Sequence, residues 1–588
     1  VSDFIYIQEE AAMSLNRREF MQLLAAASFA GMPLNRFAQA NTAATDLYDF
    51  PSFGNVALLH YTDCHAQLLP TYYREPSINL GVAGMKNHIP HLVGQHYLDH
   101  YDLTADSRAS YALTYLDFVN AAERYGKVGG FAHLKTLVDQ LRANRPGALL
   151  LDGGDTWQGS WTALQSQAQD MVQAQLALGV DVMTPHWEMT YGAARVQEIV
   201  NKDFAGHIDF IAQNIVDKDF EDLVFKPYVI REINQVPVAI IGQAFPYTPI
   251  AHPSHFTPDW RFGIRDEQMQ SMVDEAREAG AQVVVLLSHN GMDVDLKLAS
   301  RVTGIDVIMG GHTHDAVLQP VVVDNAGGQT LVSNAGSNGK FLAVLDLDVR
   351  EGKVRDYRYK LLPVFADLIK PDKAMQNLIH EVREPYQAQL AEELAFSDEL
   401  LYRRGNFNGT FDQVICNALM ESLDTPIALS PGFRWGTTVL TGQTITFEHV
   451  AEQTAITYGT VTRTDMTGDN IKTILEAIAD NLFNPDPYYQ QGGDMVRVGG
   501  LQFKLDPSAD TGQRISGLQL GEQSIDPKKT YPVAGWASVQ ENVPDNQQIW
   551  EVVADYLRAQ KTVATVKPNV PALSNISDNH GIALDTNK

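Results

Sequence analysis

The sequence predicts an α/β protein of the layered class, divided into two large domains. Three observations carry this. The 588 residues exceed what one hydrophobic core organises. Apolar, β-branched runs of strand length recur from about 50 to 350, and near-continuous apolar strands need cover on both faces. Between them lie segments with apolar residues at helical spacing, which supply that cover.

Taken in order, the chain first carries an address. From Met13 it reads MSLNRREFMQLLAAASFAGMPLNRFAQA, with Arg17-Arg18 before an apolar stretch and Ala38-Gln39-Ala40 after it. This predicts a twin-arginine export signal over 1–40, with Met13 as initiator and the periplasm as destination. The apolar run is shorter than the roughly 20 residues a membrane span requires. Strands are expected at VALLHYTD (56–63), ALLLDGGD (148–155), DFIAQNIV (209–216), VPVAIIGQAF (236–245), QVVVLLSHN (282–290), IDVIMGGHTH (305–314) and FLAVLDLDV (341–349). FAHLKTLVDQLRAN and DEQMQSMVDEAREAG read as helices, and the Tyr-, His- and Pro-rich 70–125 as an insertion or lid. The first domain is placed at 41–365 and a helical connector interrupted by Pro385 at 366–395. A second α/β domain follows at 396–565, with helices FDQVICNALMESL and GDNIKTILEAIADNL. Residues 566–588 read as a loose tail.

Composition limits the partners. Lys and Arg number 44 against 71 Asp and Glu, a formal charge of -27. Such a field repels nucleic acid and anionic lipid, so neither is expected as a partner, and no membrane association is expected after signal removal. An anionic substrate then needs local positive charge from metals or a few arginines. The two cysteines, Cys64 and Cys416, exclude a disulfide framework. A monomer is expected.

Several strand ends carry metal-ligand residue types: Asp63 and His65, Asp155, His289, and His312 with His314. Read as extended segments, D-x-H and H-x-H each present two donors on one face. Open sheets build their sites beyond the carboxyl ends of strands, where these six lie. Asp152 reads as structural, Cys64 as core, and Asn214 and Asn290 as groups behind the site.

The blocks YTDCHAQ, LLDGGDTWQGS, LLSHNGM and MGGHTHD resemble, in order, those of calcineurin-like metallophosphoesterases of the 5′-nucleotidase group. The resemblance implies a four-layer sandwich domain joined by a helix to a 5′-nucleotidase-type substrate domain. It implies one metal on Asp63, His65 and His314, a second on His289, His312 and His186, and Asp155 bridging them. Two divalent ions are therefore expected, with Mn, Zn and Fe all suited to mixed carboxylate and imidazole donors.

In TPHWEMTYG (184–192), His186 stands at the family's metal-ligating Asn, Trp187 at its phosphoryl-stabilising His and Thr190 at the Asp that orients it. Indole can donate one hydrogen bond but cannot transfer a proton. This block, with YREPSINLG (73–81), resembles the SoxB family, thiosulfohydrolases of the periplasmic sulfur-oxidising system. That resemblance implies hydrolysis of a cysteine S-thiosulfonate on the carrier SoxYZ, releasing sulfate, with two Mn ions activating water. The leaving sulfur is a weaker base than an alkoxide and needs less acid assistance.

In the second domain Arg434 of ALSPGFRWG matches the family's substrate arginine. Arg403 and Arg404 of LLYRRGNFNG, Tyr458 of AITYGTV and Arg497 are further candidates for contacting substrate. The second base-stacking aromatic has no counterpart, since ASVQENVPD follows YPVAGW. Two alternatives stay open: a periplasmic 5′-nucleotidase or 2′,3′-cyclic-nucleotide phosphodiesterase, and a non-catalytic, metal-stabilised carrier-binding subunit.

Overall fold

A computed structural model describes residues 47–540 and 546–583; the twin-arginine segment lies outside them. The first domain is built on two six-stranded sheets. One runs Lys353–Pro363, Phe341–Arg350, Val56–Tyr61, Leu149–Asp152, Val182–Met183, Asp209–Phe210. The other runs Val321–Asn325, Gly328–Asn334, Val307–Gly310, Val283–Ser288, Val236–Gln243, Tyr228–Ile233. Strand alternation sets the layers. Leu58, Leu151 and Leu345 join a cluster with Ile240 and Val285 of the second sheet. Leu59, Leu150 and Val344, one residue out of phase, join Leu134, Leu137, Met171 and Val172 of two covering helices, Phe131–Ala143 and Gln169–Leu178. Asp266–Glu278 and Met292–Arg301 bring Met269, Val273 and Leu298 to the second sheet. Helix, sheet, sheet and helix make four layers.

Three expectations need correction. DFIAQNIV is not one strand: pairing with Val182–Met183 stops at Phe210. There the Ala212 N–H turns to Lys226 O and the Gln213 N–H to Gly242 O, carrying the chain toward the second sheet. Of the two readings of residues 70–125, insertion or lid, the lid does not hold. They form helices Gln95–Tyr101, Arg108–Leu113 and Phe118–Tyr125, whose Leu98, Tyr111 and Ala122 are buried in the main core. Nor do the described residues of 566–588 hang loose. Ala572–Leu573 pairs with Lys504–Leu505, the Asn79 N–H donates to Gly581 O at 2.7 Å, and buried Asn579 donates to Gly81 O. Backbone groups of the terminal segment thus find partners in the first domain, which low hydrophobic periodicity does not reveal.

In the connector, Lys373–Arg383 packs Met375 and Ile379 onto the helix layer, and Pro385 falls in the turn Glu384–Tyr386 before Gln387–Leu390. Beyond it, a four-stranded sheet runs Val461–Thr467, Thr530–Trp536, Ile427–Ser430, Arg497–Gly499. Helices Thr410–Ser422 and Ile549–Gln560 contribute to the adjoining core. Cys64 and Cys416 are free and buried. Among the described residues no helix is long and apolar enough to cross a membrane.

Candidate metal centre between the domains

The donor residues lie where the sheets end, but not on extended chain as D-x-H and H-x-H spacing suggested. The strands stop at Tyr61 and Gly310, and the donors occupy turns. Asp63 (φ 51°), His65 (φ 48°), Asp155 (φ 56°), His312 (φ 72°) and His314 (φ 60°) are all left-handed. Non-glycine residues in sparsely populated regions cost on the order of 1–3 kcal/mol each and persist where surrounding structure over-determines them. Here the bracing is visible. The N–H groups of Asp63, His65 and Ala66 donate to the carbonyls of Gly154, Asp155 and Thr156. Asp63 accepts the His312 N–H at 3.0 Å on each carboxylate oxygen.

Two buried groups of four donors result: Asp155, His186, His289 and His312, and Asp63, His65, Asp155 and His314, with ligand atoms in each within 4.8 Å of one another. The grouping is the division the resemblance implied, and Asp155 belongs to both. Its carboxylate lies 3.1 Å from His289 Nε2, 3.0 Å from His186 Nδ1 and 3.8 Å from His65 Nε2, and it accepts the Trp187 N–H at 2.8 Å.

The donor chemistry fits divalent cations. His186 Nε2, both ring nitrogens of His312 and His314 Nδ1 are buried without a hydrogen-bond partner, a costly arrangement unless a ligand completes it. Burial, reinforced at His312 by Arg434 and at His314 by His65 and Arg404, holds both imidazoles well below their ordinary pKa, in the neutral form metals bind. Burial opposes ionisation of Asp155, but His186 and His289 outweigh it and hold this carboxyl well below the usual range. Although burial opposes its charge, His289 lies between Asp155 and Asp63 and is pushed up to about 10. The field that favours a proton there suits a metal cation equally. Its Nδ1 is 2.5 Å from Gly153 O, so that N–H donates and Nε2 faces the carboxylates.

Glu188 has a role that the sequence reading missed. Its buried carboxylate accepts four backbone N–H groups: Thr156 at 2.6 Å, Trp157 at 3.2 Å, Asp155 at 3.3 Å and His186 at 2.7 Å. It thereby ties the Asp155 turn to the His186 turn. Burial and the adjacent Asp155 raise its pKa to about 7 against the pull of those donors. The acidic residue two places after His186 was the available signal.

A cavity of about 410 Å³ opens in front of the centre, lined by His65, Asp155, His186, His312 and His314 and walled largely by aromatic rings. Trp187 meets Phe433 and Trp435 edge-on at 5.4 and 5.5 Å, Phe433 stacks on Trp435 at 4.0 Å, and Tyr458 lies parallel to Trp187 at 6.5 Å. The FRW triplet around Arg434 could have announced two of these rings. Thr190 spends its hydroxyl on Trp187 O. Every histidine lining the cavity belongs to one of the two donor groups.

The second-domain arginines separate. Arg434 lines the cavity, donating to His312 O at 2.5 Å and Gly493 O at 2.8 Å. Arg404 stands behind it and donates to Thr313 O at 3.1 Å. Arg403 and Arg497 do not line the cavity. Both are buried on Asp412, at 2.7 and 3.2 Å, and Arg497 also pairs with Asp494 at 2.9 Å. Their charge is consumed by carboxylates that the sequence could not assign to them. Asn214 and Asn290 likewise miss the ligands: Asn214 binds the backbone of Ala244, and Asn290 binds Gln243 and Asp295. Asp152 ties Tyr61, Thr156 and Gln175 together, and Cys64 packs into the core.

Comparison with known proteins places this centre. Residues 394–543 match a family described as 5′-nucleotidase, C-terminal domain. The 5′-nucleotidase of Bos taurus is 25% identical over 434 residues, 67% of this chain and 73% of that protein. A 5′-nucleotidase precursor from Thermus thermophilus shares the fold, with a TM-score of 0.71, 22% identity and coverage of 89% and 99% of the two chains. The sulfate thiohydrolase SoxB of Thermus thermophilus, solved with glycerol, superposes with a TM-score of 0.84 at 35% identity, covering 90% of this chain and 98% of that one. On that identity over nearly the whole of the Thermus protein, the chain belongs to the SoxB family of 5′-nucleotidase-like metal-dependent hydrolases.

Proposed function

We propose that this chain is a thiosulfohydrolase that acts on a cysteine S-thiosulfonate borne by a carrier protein of the SoxYZ type. The balanced step is R–S–S–SO₃⁻ + H₂O → R–S–S⁻ + SO₄²⁻ + 2H⁺. The S–S bond to the sulfonate sulfur breaks, the water oxygen joins that sulfur, and the carrier keeps the electron pair as a persulfide. The observation that carries the reading is Trp187: a proton-inert indole beside the donor groups, in a cavity whose histidines are all potential ligands. Among the described residues lining the cavity no imidazole is left over to protonate an alkoxide, whereas a persulfide needs little help.

A pair of divalent ions, proposed as Mn with Zn or Fe the alternatives, would supply a nucleophilic water at neutral pH and Lewis-acid stabilisation of the sulfonate oxygens. Asp63, His65, His314, His186, His289 and His312 would hold them, and Asp155 would bridge. Arg434 keeps N–H groups beyond the two spent on carbonyls and can orient a sulfonate oxygen. The aromatic wall excludes water from the sulfur chain. At the mouth, Ile250 and Val539 line the cavity while remaining 55% and 46% exposed, which suits a docked protein arm.

Paired assays test this. AMP should turn over more slowly than in nucleotidases that possess the acid, by the roughly 10²–10⁴ that general acid–base catalysis contributes, while an S-sulfonated carrier is cleaved. Ordinary AMP turnover with an inert carrier would instead establish a nucleotidase, the reading favoured by the matched C-terminal domain and the curated relatives. We also propose twin-arginine export to the periplasm: changing Arg17-Arg18 to Lys-Lys should leave the precursor in the cytoplasm, and undiminished periplasmic protein would refute it.

A further inference from the structure

The turn His312–Asp315 carries two of the donors, and both domains hold it. His312 and His314 are both left-handed, and no strand continues past Gly310 until Val321. Within the domain the His312 N–H reaches Asp63, the Thr313 N–H folds back to Gly311 O, the Thr313 hydroxyl accepts the Met292 N–H at 3.1 Å, and Asp315 O accepts the Gly336 N–H at 2.9 Å. The turn's first two carbonyls face the other domain. His312 O accepts from Arg434 Nη1 at 2.5 Å, and Thr313 O from Arg404 Nη2 at 3.1 Å. The His312 ring stacks on Phe245 at 4.1 Å, and Gly492 of the second domain closes over it: a Cβ there would lie 1.9 Å from Nε2.

The arginine side of the contact is buried and ion-paired. Arg434 is 8% exposed and lies 3.6 Å from Asp494, which binds Arg497 at 2.9 Å. Arg497 contacts Asp412, which also binds Arg403. This buried ladder of alternating charge anchors the guanidinium that holds the ligand turn, and gives Arg403 and Arg497 a function without substrate contact.

We propose that Arg404 and Arg434 are positioning residues for the metal-ligand turn, so that metal retention by the first domain depends on docking of the second. The inference rests on the two donor groups holding metals, and it is independent of which substrate is cleaved.

Electrostatics makes the test decisive. A guanidinium repels a nearby cation, so its removal by charge alone should tighten metal binding. If the arginines act by holding the turn, removal should weaken it. The experiment titrates the metal-stripped full-length mature chain with Mn(II), following free ion by electron paramagnetic resonance, in wild type, Arg404→Met and Arg434→Met. Arg108→Met, at a surface pair with Asp367, controls for the lost charge. Weakening of at least one site by about 10–100-fold is expected, the usual effect of removing groups that orient ligands. Arg404→Lys and Arg434→Lys, which can still reach one carbonyl, should recover part of the loss, and they serve the same test if the methionine variants do not fold. Unchanged or tighter Mn(II) binding would overturn the proposal. If such variants also lost turnover, the arginines would be substrate groups only, and the thiosulfohydrolase reading would stand.

Discussion

Asp155→Asn is expected to abolish turnover and to reduce bound metal from two ions per chain to one or fewer. Asp155 is the only donor shared by both groups, and its two oxygens already meet His186, His289 and the Trp187 N–H. Asparagine keeps the shape but removes the negative charge, and turns an N–H donor toward groups that need an acceptor. The field that favours a cation beside His289 would weaken with it. The rate should fall by more than the roughly 10²–10³ that loss of a single transition-state donor costs, because nucleophile generation and charge stabilisation fail together. Elemental analysis with a parallel turnover assay checks this. Two tightly held ions in the variant would remove the bridging assignment.

Glu188→Gln should be the next most damaging change, without touching a ligand directly. Thr156 and Trp157 donate to one carboxylate oxygen, His186 and Asp155 to the other. Glutamine can serve one pair; its amide N–H groups oppose the other. Each buried donor left unpaired costs about 1–3 kcal/mol, so roughly 2–6 kcal/mol of local stability should disappear. The Asp155 and His186 turns would then lose their common anchor, and metal affinity should fall alongside the melting temperature. Calorimetry with and without metal, plus a metal titration, measures both effects. A variant that melts and binds metal like wild type would show that the clamp is dispensable.

The elements that sequence reading located correctly are those whose signal is local. Val236–Gln243, Val283–Ser288 and Phe341–Arg350 are long apolar runs buried on both faces, and helices such as Asp266–Glu278 repeat at helical spacing. Edge strands such as Tyr228–Ile233 and Val321–Asn325 escape that reading, because all their residues but Ile233 are exposed or half-buried and the buried pattern is missing. The donor residues were legible through their chemistry: Asp and His recurring just past strands are too expensive to bury without a purpose. Their left-handed turns were not legible, since backbone strain is sustained by contacts from distant segments.

By itself, then, the sequence determined the layered α/β class and pointed to the Asp and His residues that the fold gathers into two groups able to hold metal, because periodicity and residue chemistry are written one position at a time. Only the tertiary structure decided the fates of four similar arginines. Arg434 meets the cavity and the ligand turn, Arg404 braces that turn from behind, and Arg403 and Arg497 vanish into carboxylates. The same holds for the terminal segment that returns to the first domain and for Glu188 joining two turns more than 30 residues apart. A guanidinium or carboxylate carries the same charge wherever it lies. What it does depends on which partner the fold brings within about 3 Å, and that is a property of the packed chain.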